Sequence, residues 1–371
     1  MKPTIKSLLR LLAILLTFTF VAAACGSDED TSTDTGGETD DGDAATSDDE
    51  DGDAMADDED GDAMDDDAMA DDDHDGDGHD FSALTVAIVA PSASDDLAFT
   101  QSMVDSVKAL GIEPQITDGT FVLDDAAAAI RGYAEDGVNV VIAHGTQYGA
   151  SLLEIAPDFP ETSFIWGTAT DTQGLDNVFA YFPDADEGGY VHGVLAAQLS
   201  SSGVIGVVGP VEAGDAVAYI NGFAKGAEDN GATVNITYTG SFGDVALAAE
   251  AAQAHLTQDV DVLTGTAQMV VGAVGVASEN DIPWFGTQSN QTSLDPDLVV
   301  ASQVYHWEVI LEEMLMRVAA GRLGGDALAI NLENGGLVIE LNDQFDLPDG
   351  AAQTVEDTIA GIIDGSIDTG A

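Results

Sequence analysis

"GVIGVVGPV", residues 203–211, is an almost unbroken apolar run, too short for a typical helix and without the alternation of a strand that has one face in water. It reads as a strand buried on both faces, which a parallel sheet covered by helices requires. Downstream the same reading applies to "ATVNITYTG" (232–240), "VDVLTGTA" (260–267) and "IPWFGTQS" (282–289). Between them, "DAVAYINGFAKGAEDNG", "DVALAAEAAQAHLTQ" and "VVGAVGVASEND" carry apolar residues at helical spacing and predict the intervening helices. Upstream the alternation has already run once, through "TVAIVAP" (85–91), "PQITDGTF" (114–121), "VNVVIAHG" (138–145) and "TSFIWGTA" (162–169) with helical patterns between. Two α/β units in series, separated at "NVFAYFPDADEGGY", predict two lobes, each a mainly parallel sheet sandwiched by helices.

Past the second unit, "DLVVASQVY" (297–305), the long helix "HWEVILEEMLMRVAAGRLG" and the strand-like "GLVIEL" (336–341) predict chain returning between the lobes. The expected division gives lobe 1 residues of about 84–184 plus about 306–324, and lobe 2 about 187–302 plus the C-terminal segment. Ligands of open α/β sheets sit at the carboxyl ends of the strands, so a cleft between two such ends is the expected site.

The amino terminus predicts export. Lys2, Lys6 and Arg10 precede a 14-residue apolar run, Leu11 to Ala24, and the small residues Ala22, Ala23 and Ala24 abut Cys25. Fourteen residues fall short of the about 20 that span a bilayer. Cys25 is the chain's only cysteine, which excludes an internal disulfide. This arrangement resembles a bacterial lipoprotein signal, residues 1–24, with Cys25 as the lipidated residue; an ordinary secretory signal with a free thiol is the alternative. Residues 25–80 predict a disordered tether: Gly26 to Asp80 holds 27 acidic residues and no Lys or Arg, with "DGDAM" repeated at Asp51 and Asp60. "DDDHDGDGHD", with His74 and His79, has the look of a cation ligand set, but no glutamate closes a calcium loop, and no metal is assigned.

Of the chain's 69 acidic residues, 42 remain beyond the tether, against five bases: Lys108, Arg131, Lys225, Arg317 and Arg322. Such a surface repels nucleic acid and anionic lipid, whose recognition is built from Lys and Arg. It resembles the surfaces of proteins from saline environments. All five bases fall in predicted helices, away from the strand-end loops, so a phosphorylated or carboxylate ligand would lack its usual partner, and the expected ligand is small, planar and neutral or weakly cationic. No phosphate loop, G-x-G-x-x-G, G-x-S-x-G or H-E-x-x-H motif occurs. His144 beside Thr146 could act as a general base, but a single histidine is little on which to build an enzyme, and neither catalysis nor a cofactor is expected.

The strand-end loops carry a different inventory. Asp96 and Phe99, then His144, Thr146, Gln147 and Tyr148, then Trp166, belong to the first unit; Phe242, Thr266 and Gln288 belong to the second. Aromatic faces can sandwich a planar ligand while amides and hydroxyls fix its edge. Each also has a plainer reading, as inter-helix packing for the aromatics or helix capping for Asp96.

The motifs "DDLAFTQ" (95–101), "VVIAHGTQYGASLLEIAPDFPETSF" (140–164), "EGGYVHGVLAA" (187–197), "GVIGVVG" (203–209), "NGFAKGA" (221–227) and "YTGSFGD" (238–244) together resemble the basic membrane protein family of substrate-binding lipoproteins. The resemblance spans about 84–322 and implies a type I periplasmic-binding fold whose lobes close over a ligand and deliver it to an ABC importer. Studied members bind purine nucleosides. By position, Phe99 and Phe242 would flank the base, with Asp96 and Thr100 near it, Thr100 standing where the family shows asparagine. "GTQSNQ" stands for the family's ribose-binding G-V-D-S-D-Q, so Gln288 replaces its acid, and Tyr305 aligns with its lysine. The implied protein is a monomeric solute receptor on the outer face of the cell membrane, held by lipid on Cys25, with permease and ATPase subunits as partners. A sensor of the same fold that feeds no transporter is the alternative.

Overall fold

The computed structural model describes residues 79–370; the predicted leader, Cys25 and all but the last two residues of the predicted tether lie outside the described residues. Strands β1 (Val86–Val89), β2 (Gln115–Thr117), β3 (Val140–Ala143), β4 (Ser163–Gly167) and β5 (Val178–Pro183) alternate with helices α1 (Phe99–Ala109), α2 (Leu123–Glu135) and α3 (Gly149–Ile155). Helix α4 (Ala185–Leu199) leads into the second unit: β6 (Val204–Gly209), α5 (Gly214–Asp229), β7 (Thr233–Tyr238), α6 (Val245–Leu256), β8 (Val262–Gly265), α7 (Val271–Glu279), β9 (Trp284–Gln288) and β10 (Val299–Tyr305). The chain then crosses back through α8 (Glu308–Ala319) and β11 (Ala327–Ile330), and ends with β12 (Leu337–Leu341) and α9 (Ala351–Ile363).

Each lobe has a six-stranded sheet, in the orders β11-β5-β4-β3-β1-β2 and β12-β10-β9-β8-β6-β7. Every pairing is parallel except β12 on β10. The two orders match strand for strand, and in both the first strand lies between the second and third. The order in which strands are added reverses there, so the following helices lie on opposite faces of the sheet and leave a crevice at the strand ends. The two crevices face each other.

Strand burial shows why the runs are continuously apolar. Val86 and Ile88 pack into one cluster with α1 and α8, whereas Ala87 and Val89 pack into another with α2 and α3. Both faces of β1 are therefore dry, as they must be in a sheet covered twice. The first cluster continues through Tyr181, Tyr305 and Trp307 into the second lobe, so one core runs past the crossings. The chain crosses at Pro183–Ala185, Tyr305–Glu308 and Ile330–Leu337.

Helices α4 and α5 pack backbone to backbone. A Cβ on Gly193 would lie 2.1 Å from the Phe223 carbonyl oxygen, and one on Gly222 2.1 Å from that of Asp186. The motifs "EGGYVHGVLAA" and "NGFAKGA" are the two sides of this contact, which explains their glycine spacing. Among the described residues no helix is long and apolar enough to cross a membrane.

Candidate functional site

The strand ends of both lobes line one common cavity. Phe99, at the start of α1, and Phe242, just before α6, line it together with Phe121, which is 47% exposed at the mouth. Polar groups come from both sides: Thr146, Gln147 and Thr168 from the first lobe, and Asp215, Gln268 and Gln288 from the second. The lobes meet around it. Ser289 Oγ donates to the Ala98 carbonyl at 2.8 Å and Gln291 Nε2 to that of Leu97 at 3.2 Å. Gly214 admits the approach, since a Cβ there would lie 2.9 Å from Thr146 Oγ1.

Backbone conformation marks the same place. Among the described residues seven non-glycine residues have positive φ; Gln173, Asp259 and Asp281 occupy turns away from the cavity. The other four are Leu97, whose carbonyl joins the lobes, and Thr168, Ala267 and Gln288, which line the cavity. Left-handed backbone costs a residue with a Cβ roughly 1–2 kcal/mol, so its concentration here is held by the surrounding structure, as at functional sites generally.

Phe99, Thr146, Gln147, Phe242 and Gln288, expected from sequence, are among the cavity-lining residues. The other expected residues lie behind or beside that lining. His144 is buried behind Phe99, ring centroids 3.7 Å apart and nearly parallel. Its Nε2 donates to the Phe99 carbonyl at 2.8 Å, so Nδ1 must accept from the Tyr181 hydroxyl. Burial lowers its pKa to about 3 and keeps the ring neutral. Tyr148 turns its hydroxyl to Thr120, donating to the carbonyl at 3.0 Å, and burial raises its pKa to about 12. Trp166 fills the space over Gly149 in the core beneath α3, with its indole N–H unpartnered.

Asp96 is a helix-end ligand: its carboxylate accepts from the Ala98, Thr100 and Gln101 amides at 2.9–3.2 Å and from Ser92 Oγ at 2.5 Å. It borders a shallower hollow at the mouth with Phe121 and Gln268. Thr100 is buried against Ser92 Oγ at 2.7 Å. Thr266 is buried with its hydroxyl unpartnered. Tyr305 lies one layer behind the cavity, its hydroxyl donating to Asp215 Oδ2 at 3.1 Å.

Sequence reasoning passed over Asp215, in the first turn of α5 and 7% exposed. Gln288 Nε2 also donates to its Oδ2, at 3.1 Å. Burial raises its pKa, while the hydrogen bonds from Gln288 and Tyr305 oppose the rise. An acid in a first helical turn is usually an exposed dipole partner, and only the fold shows this one turned into the cleft. Four of the five bases beyond the tether are in ion pairs away from the cavity: Arg131 with Asp158, Lys225 with Asp229, Arg317 with Glu313 and Asp326, and Arg322 with Asp326. No cationic side chain lines the cavity.

Comparison with known proteins agrees with this geometry. The Bmp family model, described as ABC transporter substrate-binding protein PnrA-like, matches residues 83–360. A purine-binding protein of Brucella abortus is 26% identical over 300 residues, covering 79% of this chain and 84% of the relative. An ABC transporter nucleoside-binding protein, BmpA, of Lactococcus lactis is 24% identical over 319 residues, covering 76% and 88%. The solved structure of a solute-binding protein of an ABC transporter system from Conexibacter woesei superposes with a TM-score of 0.64 at 24% identity, over 77% of this chain and 98% of that one.

Proposed function

The chain belongs to the Bmp family of PnrA-like ABC transporter substrate-binding proteins, and from that premise we propose that its two lobes close over a small planar ligand of the purine base or nucleoside class and present it to an importer. The family is one of binding proteins, not enzymes, and His144, behind the cavity wall, is consistent with that: both its ring nitrogens are committed to Tyr181 and Phe99.

The observation that carries this reading is the placement of Phe99 and Phe242, from different lobes, on one common cavity. A ring held between them contacts both lobes and so favours the closed form, since a ligand shifts such an equilibrium only through differential affinity. The purine-binding and nucleoside-binding relatives support the ligand class. Delivery to permease and ATPase subunits, and attachment to the outer membrane face through lipid on Cys25, complete the proposal; both rest on the family and on the leader's sequence.

Calorimetric titration with adenosine, inosine, adenine and hypoxanthine tests it. Phe242 is only partly buried, so Phe242→Ala should leave the melting temperature in place while weakening binding by about 1–2 kcal/mol, roughly 5- to 30-fold. Undiminished affinity in the variant, or no binding of any of the four compounds, would falsify the reading.

A further inference from the structure

Asp215 is a carboxylate on the cavity wall with no cation beside it. Two side-chain donors reach it, the Gln288 amide and the Tyr305 hydroxyl, and both fall on Oδ2. Because the amide NH₂ of Gln288 faces the carboxylate, its Oε1 is turned away, buried and unpartnered, on a residue that is 2% exposed and lines the cavity. The orientation follows from chemistry: an ionised carboxylate accepts only, so the nitrogen must face it. Gln268 Oε1 is a second buried, unpartnered acceptor on the same lobe's side.

The second lobe thus carries three acceptors on residues that line the cavity: one carboxylate and two buried amide oxygens without donors. Buried acceptors without donors are costly, and a buried charge without a counter-charge more so. Neutral donors could satisfy the acceptors, and backbone amides at the start of α5 already donate to the carboxylate; a cation would in addition offset its charge. The acid-rich folded part, with 42 acidic residues against five bases beyond the tether, adds a field that concentrates cations at the mouth.

We infer that Asp215 and Gln288, with its donor-free oxygen, form a specificity-determining end of the cleft that takes a planar organic cation through an N–H-bearing edge of amidine or guanidine type. This rests on the two-lobed binding reading and narrows its ligand class. The phenylalanines hold the ring faces, and Asp215 with Gln288 takes the donor edge. Tyr305 is a positioning residue, since it reaches the ligand only through Asp215.

The test uses three probes on the purified chain: 2-aminobenzimidazole, a purine-sized planar guanidine that is largely protonated at neutral pH; benzimidazole, which lacks the exocyclic amine; and adenosine. Wild-type protein should favour 2-aminobenzimidazole over benzimidazole by about tenfold or more, the scale of a charge-assisted hydrogen bond. Asp215→Asn should reduce that advantage to less than about threefold. If Asp215→Asn does not fold by circular dichroism, Gln288→Met, which keeps the volume and the carboxylate, should still cut the advantage by about threefold. No advantage in wild-type protein, or an advantage that survives whichever variant folds, overturns the inference. Adenosine separates the two levels: its binding without any such advantage leaves the nucleoside reading standing and removes the cationic edge, whereas failure of all three probes together with inosine, adenine and hypoxanthine removes both.

Discussion

His144 contributes to the cleft without touching it. Its ring lies flat behind Phe99, and its two nitrogens tie the Phe99 carbonyl to the Tyr181 hydroxyl, so it fixes the angle of the aromatic wall. The sign of its pH effect follows from burial. The folded chain holds this imidazole neutral down to about pH 3, while the unfolded chain takes up a proton near its ordinary value of 6.5. Its contribution is therefore intact above pH 6.5 and is lost progressively as pH falls toward 3. His192, also lowered to about 3 by burial, acts in the same direction. His144→Phe keeps the stack, removes the titration and leaves the Phe99 carbonyl and Tyr181 hydroxyl without partners. It should cost about 1–3 kcal/mol at pH 7.5 and show a shallower loss of stability between pH 6.5 and 4 than the wild type. Urea midpoints across that range measure both, and parallel pH profiles would remove His144 from this role. Sequence placed His144 at a strand end correctly but could not tell a residue facing the cavity from one a single layer behind it. The same limit hid Asp215, which Gln288 and Tyr305, at the ends of two other strands of the same sheet, meet only in the fold.

Among the elements, the junction of α4 with α5 ties glycine spacing to architecture. Gly189, Gly193, Gly222 and Gly226 each face a backbone atom of the other helix at distances where a Cβ cannot fit. α4 follows directly on a lobe crossing, so its seating on α5 sets where the second lobe begins relative to the first sheet. Gly222→Ala would place a methyl against the Asp186 carbonyl, and a backbone atom cannot rotate away as a side chain can. Separating the helices should cost about 1–3 kcal/mol, a fall in melting temperature of roughly 3–10 °C for a domain of this size. Differential scanning calorimetry measures it, and an unshifted transition would mean that the helices sit farther apart. Among the described residues the apolar rhythm marks ten of the twelve strands; it gives β5 only as a junction and does not mark β11. β5 ends at Pro183 and enters α4 within two residues, so no turn signal marks its end. β11, "ALAI", is four residues on a sheet edge, and its strand character comes from pairing with β5. α9 was covered only as a C-terminal segment, although its apolar face packs on the second lobe beside α4.

At the scale of the molecule, the balance of charge opposes the compactness that the cores supply. Beyond the tether 42 acidic residues face five bases, and most of the ion pairs those bases form are local, such as Lys225 with Asp229 four residues on, Arg317 with Glu313 four residues back, and Arg322 with Asp326, while Arg131 reaches Asp158 across the surface. Exposed pairs of this kind contribute about 0–1 kcal/mol each, so screening them sacrifices little. The repulsion among the acids is long-ranged and sums over many partners. At about 0.15 M salt the screening length is about 8 Å, and at 1 M about 3 Å, so added salt removes repulsion between neighbouring carboxylates before it removes ion pairs in contact. Stability should therefore rise with ionic strength, by about 1–2 kcal/mol or roughly 3–8 °C between about 0.02 M and 2 M sodium chloride. Reversible thermal melts in a salt series, with an equal-osmolality sucrose series as the uncharged control, read this directly. If the two series coincide, charge repulsion is not what salt relieves, and the acidic surface has no bearing on the conditions under which the two lobes hold together.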